Sequence, residues 1–140
     1  MTDRDVIDAK VDLIDERLTL LREERETFDP DDVDIRTFLA VKHALQETIE
    51  ACLDIANHVI STEGLGAPTD YSVYFVKLRQ ADILEADLAE RLQGMARFRN
   101  VLVHLYADVE TQAVQEILNE DLSDIQAFVQ QIYAYLDAAE

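Results

Sequence analysis

One stretch of this chain holds the residue types that phosphate chemistry needs: Arg97-Phe98-Arg99-Asn100-Val101-Leu102-Val103-His104-Leu105-Tyr106. Arginine supplies a fixed cation whose planar donors match a phosphate group. Histidine takes up and releases protons near neutral pH. The chain has 30 acidic residues against 12 basic ones and a formal charge of -18, yet residues 91–107 contain no acid. No other acid-free run in the sequence is as long, and this one carries Arg91, Arg97 and Arg99. A chain that repels anions nearly everywhere would tolerate a phosphate-bearing ligand here.

The spacing sets what these residues can do together. On a continuous helix Asn100 and His104 are i,i+4 neighbours, and Arg99 and Tyr106 return to one face at i,i+7. Arg99 and His104 are five apart, so a helix turns them well away from each other. They meet only if the helix ends near His104 or if a second copy of the chain completes the site. The same spacing also fits an amphipathic helix with surface arginines and a histidine that caps its C-terminus, where a cation is favoured.

The string Arg99-Asn100-Val101-Leu102-Val103-His104-Leu105-Tyr106 resembles the signature of the HEPN superfamily, and more narrowly the HepT-type toxins of HEPN–MNT toxin–antitoxin pairs. A bare Arg-x4-His pattern is weak; Arg-Asn-x-Leu-Val-His-x-Tyr is far more specific. Residues 45–58 look like the family's long second helix, and Gly64-Leu65-Gly66-Ala67-Pro68 looks like its turn. The likeness covers almost the whole chain.

Cleaving RNA without a metal needs a group of near-neutral pKa to move a proton, and a fixed cation to stabilise charge on the phosphate. The resemblance implies that His104 and Arg99 fill these catalytic roles, with Asn100 holding the imidazole or a phosphate oxygen. It implies a homodimer in which the motifs of two protomers share one cleft. It also implies a type VII toxin, a metal-independent RNA endonuclease, neutralised when a cognate MNT nucleotidyltransferase attaches AMP to Tyr106. No cofactor follows from it. Two other readings compete: a non-catalytic HEPN interaction module that binds such a transferase, and a helical dimer with no chemistry. The intact set Arg99, Asn100, His104 and Tyr106 favours the nuclease.

Composition bounds the rest. A chain of 140 residues, 49% hydrophobic, fits a single domain over residues 1–140 with a real core. No apolar run approaches a membrane span, and Met1-Thr2-Asp3-Arg4-Asp5 is too acidic for a signal peptide, so a cytoplasmic protein without membrane contact is expected. The single cysteine, Cys52, rules out an intramolecular disulfide or a cysteine-based zinc cluster. Three lysines against nine arginines on so acidic a chain resemble the surfaces of salt-loving proteins. At molar salt the Debye length shrinks to about 3 Å, so net charge would do little to repel RNA.

The elements that must position the site read as an all-α antiparallel bundle of about five helices. Val6, Ala9, Leu13, Leu18 and Leu21 recur at helical spacing and predict a helix from Asp3 to about residue 27, capped by Thr2 or Asp3. After the break at Phe28-Asp29-Pro30, a long helix is predicted over residues 34–62, with Leu39, Val41, Leu45, Ile49, Leu53, Ala56 and Ile60 as its apolar positions. Glu50, Asp54 and His58 form an i,i+4,i+8 stripe on it. Such a trio is common on exposed helices, so no metal is expected; Asp54 or Glu50 pairing with an arginine of the active stretch is the expected use. His43 reads as a surface or dimer-face residue and Cys52 as a small buried hydrophobe.

The Gly64–Pro68 loop lacks the spacing and the lysine of a phosphate-cradling loop. Thr69 or Asp70 can cap a short helix to about residue 80, with Tyr71, Tyr74, Phe75 and Leu78 as core residues. A fourth helix is predicted to start near Leu84, to turn Leu88, Leu92, Met95, Phe98 and Leu102 inward, and to end near His104. Residues 107–110 turn the chain. A last helical pair covers residues 111–119 and 122–139, with Asp121 as a cap between them. Val114, Ile117, Leu118, Ile125, Phe128, Val129, Ile132 and Leu136 form its dry face.

Overall fold

The computed structural model describes residues 3–104 and 111–139, leaving aside the side chains of Val101, Val103 and His104. The described residues form six helices and no strand: α1 Arg4–Thr27, α2 Ile35–Thr62, α3 Tyr71–Gln80, α4 Ala86–His104, α5 Thr111–Glu120 and α6 Leu122–Ala139. The elements match those expected one for one, including the last pair with Asp121 between its helices, so the bundle of about five helices is six when that pair is counted as two.

Three aspartates start the first three helices, each by accepting a backbone N–H that the helix itself cannot satisfy. Asp3 accepts from Asp5, Asp34 from Thr37 and Asp70 from Ser72. The turn after α2 needs left-handed backbone at Gly64, φ 66°, and Gly66, φ 89°, which glycine adopts without a Cβ clash.

Polar links across the helix faces fix how the rods run. Lys10 pairs with Asp54 and Arg17 with Glu47, each at 2.9 Å, so residue numbers rise on α1 as they fall on α2. Arg4 with Asp137, Asp8 with Tyr133 and Arg22 with Gln126 set α6 antiparallel to α1. Arg91 with Asp124, and the Glu85 backbone with Gln131, set α6 antiparallel to α4 as well. These mostly exposed links contribute little stability because water screens them. They specify register.

Stability comes from the apolar side chains between the rods. Ile7, Ile14, Leu21, Leu45, Ile49, Phe75, Leu92 and Phe128 are among those fully buried. Each such residue contributes about 1.5–3 kcal/mol relative to exposure. Phe75 and Phe128 meet edge to face, with centroids 5.7 Å apart, and join α3 to α6. Cys52 is buried as expected, and burial pushes its thiol up to about 12, out of reach of thiolate chemistry.

Four expectations need correction. On α1 the inward face is Ile7, Val11, Ile14, Leu18 and Leu21, while Val6 is 40% exposed. The predicted stripe was out of phase at its start, because Val6 and Ile7 are adjacent and equally apolar. On α2 Phe38 is buried and Leu39 is 50% exposed, for the same reason. At the start of α3 Tyr71 lies at the surface and Tyr74 is half-buried, so only Phe75 and Leu78 are full core members of that helix. The fourth helix begins at Ala86, two residues past Leu84, which is buried before the helix starts.

Candidate active site

The site begins with the phase of α4. Leu88, Leu92, Met95 and Leu102 are buried at spacings that alternate four and three residues, and the missing member of that series is Arg99. The helix therefore carries an arginine on its core-facing stripe, flanked by Met95 and Leu102. Phe98, predicted inward, is only partly buried beside it. A guanidinium placed there loses water and needs partners.

Glu50 on α2 is the main one. Arg99 donates from Nε at 3.2 Å and from Nη2 at 3.0 Å to the same Oε1 of Glu50. A longer contact of 3.4 Å runs from Nη1 to the Asn100 Oδ1. The guanidinium also lies over the Tyr71 ring, 5.0 Å from its centroid, a cation–π arrangement. The Arg99 side chain keeps 23% of its exposure, so it is fixed without being sealed. It opens onto a small pocket of about 180 Å³ with Glu50, Leu53, Asp54 and Tyr71.

The other expected residues divide. Asn100 is exposed on the outer side of α4. Asp54 reaches the same small pocket, but its carboxylate pairs with Lys10; the acid on the motif arginine is Glu50, one turn earlier. His58 accepts from the Asp3 backbone N–H at 3.0 Å. The Glu50, Asp54, His58 stripe thus serves three separate partners, and no group of three metal-ligating side chains converges among the described residues. His43 is exposed and lies 3.5 Å from Glu47. Arg91 points away from the site, to Asp124. His104 closes α4, which is helical through position 99 as well, so the two positions are about 140° apart around its axis. Tyr106 and the turn at 107–110 lie outside the described residues.

Two contributors were not foreseen in their roles. Tyr71, read as a core aromatic, is the ring under Arg99. The sequence carries no clear signal for it, because Tyr71, Tyr74, Phe75 and Leu78 share one helical face. Arg97 is exposed on α4 and faces the α3 cap across a groove of about 620 Å³. Hydrogen bonds from Ser72, joined by the Arg97 charge, hold the Asp70 carboxyl below its ordinary value. Burial first, then Tyr71 and Asp54, push the Tyr74 phenol up.

Known proteins share this fold. A solved toxin–antitoxin structure with AMP-PNP contains a chain that superposes with a TM-score of 0.86 at 27% identity, over 93% of this chain and 98% of that one. The tri-AMPylated Shewanella oneidensis HEPN toxin, solved in complex with MNT antitoxin, gives a TM-score of 0.84 at 28% identity, over 96% and 99%. The mRNA nuclease HepT of Shewanella oneidensis is 33% identical over 90 residues, 64% of this chain and 68% of that protein. The tRNA nuclease HepT of Aphanizomenon flos-aquae is 29% identical over 102 residues, 73% and 69%. The fold is that of a HEPN ribonuclease toxin. The model of the family described as Ribonuclease HepT-like matches residues 11–132, and the chain belongs to that family. No helix among the described residues is long and apolar enough to cross a membrane.

Proposed function

We propose that this protein is the toxin of a type VII HEPN–MNT pair, a metal-independent endonuclease that cuts RNA in the cytoplasm and acts as a homodimer of one-domain chains. The observation that carries the reading is the state of Arg99: a motif arginine built into a core stripe, gripped by Glu50, laid on Tyr71 and still open to a pocket. The more exposed Arg4 also has a carboxylate and a tyrosine ring, so what sets Arg99 apart is its place on the core stripe and the pocket it opens onto. Held this way, the guanidinium is pre-organised for a scissile phosphate and needs little rearrangement as charge develops.

The step we assign is attack of the ribose 2′-oxygen on phosphorus. The O2′–P bond forms and the bond from phosphorus to the 5′-oxygen breaks. The 2′-hydroxyl loses its proton and the departing 5′-oxygen gains one; the two His104 side chains of the dimer make these two transfers, and Arg99 neutralises the phosphoryl charge. Asn100 supports the imidazole or a phosphate oxygen, and Asp54 supports the pocket through Lys10. Because positions 99 and 104 diverge around α4, Arg99 and His104 of both protomers together make up the cleft. The exposed Ile35 and Leu39 support pairing, since they lie on the side of α2 that leads along its helical stripe to Glu50.

The partner is a cognate MNT nucleotidyltransferase that adenylylates Tyr106. The relative solved with its MNT antitoxin is AMPylated, which supports the assignment. The test is expression of the protein alone and with its neighbouring transferase, reading growth and RNA integrity. Arrested growth with fragmented RNA, relieved by the transferase, is the expected result. Intact RNA in arrested cells would remove the ribonuclease reading.

A further inference from the structure

Beside Arg99 lies a second concavity that shares Tyr71 and Asn100 with the cleavage site but whose space the cleavage step does not fill. It is the groove of about 620 Å³ between the start of α3 and the outer side of α4. One wall is aromatic: Tyr71 and Tyr74 meet edge to face, with centroids 5.6 Å apart and planes at 71°. The facing wall holds Ala96, Arg97 and Asn100. Its volume is in the range of sites that accept small organic groups.

Tyr71 belongs to both concavities, since it also lines the pocket of Arg99 and Glu50. An occupant of the groove is therefore one aromatic ring away from the cation assigned to the phosphate. Charge narrows the chemistry. The groove lining contains one carboxylate, Asp70, and one guanidinium, Arg97. That balance does not select a second phosphate. It suits a flat uncharged ring with polar edges, which stacks on tyrosine and meets the amide of Asn100, a group that both donates and accepts.

We infer that this groove is a nucleobase subsite, which takes the unstacked base of the nucleotide adjoining the phosphate on Arg99, with Tyr71 as the stacking platform and Asn100 at the base edge. The inference rests on the ribonuclease reading. It makes the enzyme selective for single-stranded RNA, because a base still paired in a duplex cannot enter. It also gives the site a means of preferring one base over another next to the cut.

The experiment uses the full chain and a single-stranded RNA oligomer that the wild type cuts at one place. The same oligomer is made with an abasic ribose on either side of that cut. One abasic position should raise KM about tenfold, the size expected from losing one base stacked on an aromatic side chain. In Tyr71→Ala the abasic and intact oligomers should become equal. Tyr71 also supports Arg99, so kcat can fall in that variant, but the comparison is between substrates within one protein. Thr69→Trp, at an exposed position on the groove, should likewise make the two oligomers equal by filling the space. Equal KM for both oligomers in the wild type, or an undiminished abasic penalty in both variants, would overturn the subsite. If the wild type cuts no RNA, the ribonuclease reading falls separately. The subsite is then judged by binding of an oligomer carrying 2-aminopurine. Quenching that disappears in Tyr71→Ala and Thr69→Trp supports it; no quenching, or quenching unchanged in both, overturns it.

Discussion

Glu50 Oε1 accepts two hydrogen bonds from Arg99, at 3.2 and 3.0 Å, so the carboxylate that positions the guanidinium also competes with any phosphate for it. The two effects separate by substitution. Glu50→Gln keeps an acceptor and removes the charge, so KM for RNA should fall several-fold with kcat nearly unchanged, and the gain should shrink as salt rises. Glu50→Ala removes the hold as well, and kcat should drop about tenfold. Steady-state cleavage at two salt concentrations reads both. An unchanged KM in Glu50→Gln would mean that the carboxylate only positions.

Arg99→Ala and His104→Ala should each reduce cleavage by roughly 10²–10⁴-fold and relieve growth inhibition. Helicity and dimerisation should persist. Arg99→Lys should behave nearly as poorly as Arg99→Ala, because an ammonium cannot reproduce the paired donation to Glu50 or the planar stack on Tyr71. Wild-type cleavage in any of the three would remove that residue from the site.

How much of this was legible in the sequence depends on what is local. The caps Asp3, Asp34 and Asp70 satisfy N–H groups two or three residues away, so a helix start can be read without its neighbours. Which of two adjacent apolar residues faces inward is not local. Val6 and Ile7, or Phe38 and Leu39, are decided by the helices that pack on them. The same holds for Glu50 and Asp54. They are one turn apart on α2, and only the placement of α1 and α4 sends one to Arg99 and the other to Lys10. Arg99 itself was legible as chemistry but not as a core-stripe residue, because an inward arginine is assigned outward by hydropathy alone.

Cleavage should survive a chelator. Glu50, Asp54 and His58 are already engaged by Arg99, Lys10 and the Asp3 backbone, and the assigned chemistry uses only side-chain proton transfer and a fixed cation. Wild-type rates in excess EDTA are expected. Activity that disappeared with chelator and returned on adding one divalent metal would reopen the α2 stripe.

Asp121 should set a pH dependence of stability. Burial, with Asp124 and then Glu120 nearby, pushes its carboxyl from 3.8 to about 6. A raised carboxyl favours the folded state while protonated, so its contribution is fully present below the unfolded value and is lost as pH rises through about 6. Asp121→Asn removes the charge and keeps a residue suited to the start of α6. The Tm should rise by about 2–5 °C at pH 8, with little gain at pH 4. An equal change at both pH values would assign the effect to packing.

Tyr106 is where the partner should act. It follows His104 by two residues in the chain, so a group attached to its hydroxyl is tethered within a short reach of the motif. In the transfer, the phenolic oxygen attacks the α-phosphorus of ATP. The Tyr–O–P bond forms, pyrophosphate leaves with its bridging oxygen, and the phenolic proton goes to base or solvent. The product adds an anionic phosphodiester and a bulky nucleoside. The charge can engage arginines meant for the RNA phosphate, and the bulk can fill the cleft, so inhibition outlasts the encounter with the transferase. Co-expression with the cognate transferase should therefore yield a covalent AMP adduct on Tyr106. Tyr106→Phe should fold and dimerise normally, cut RNA, and remain toxic in the presence of the transferase. Peptide mass spectrometry of the neutralised protein decides the matter. An unmodified Tyr106 in a fully silenced toxin would mean that the partner works by covering the cleft, and Tyr106→Phe would then be silenced as readily as the wild type.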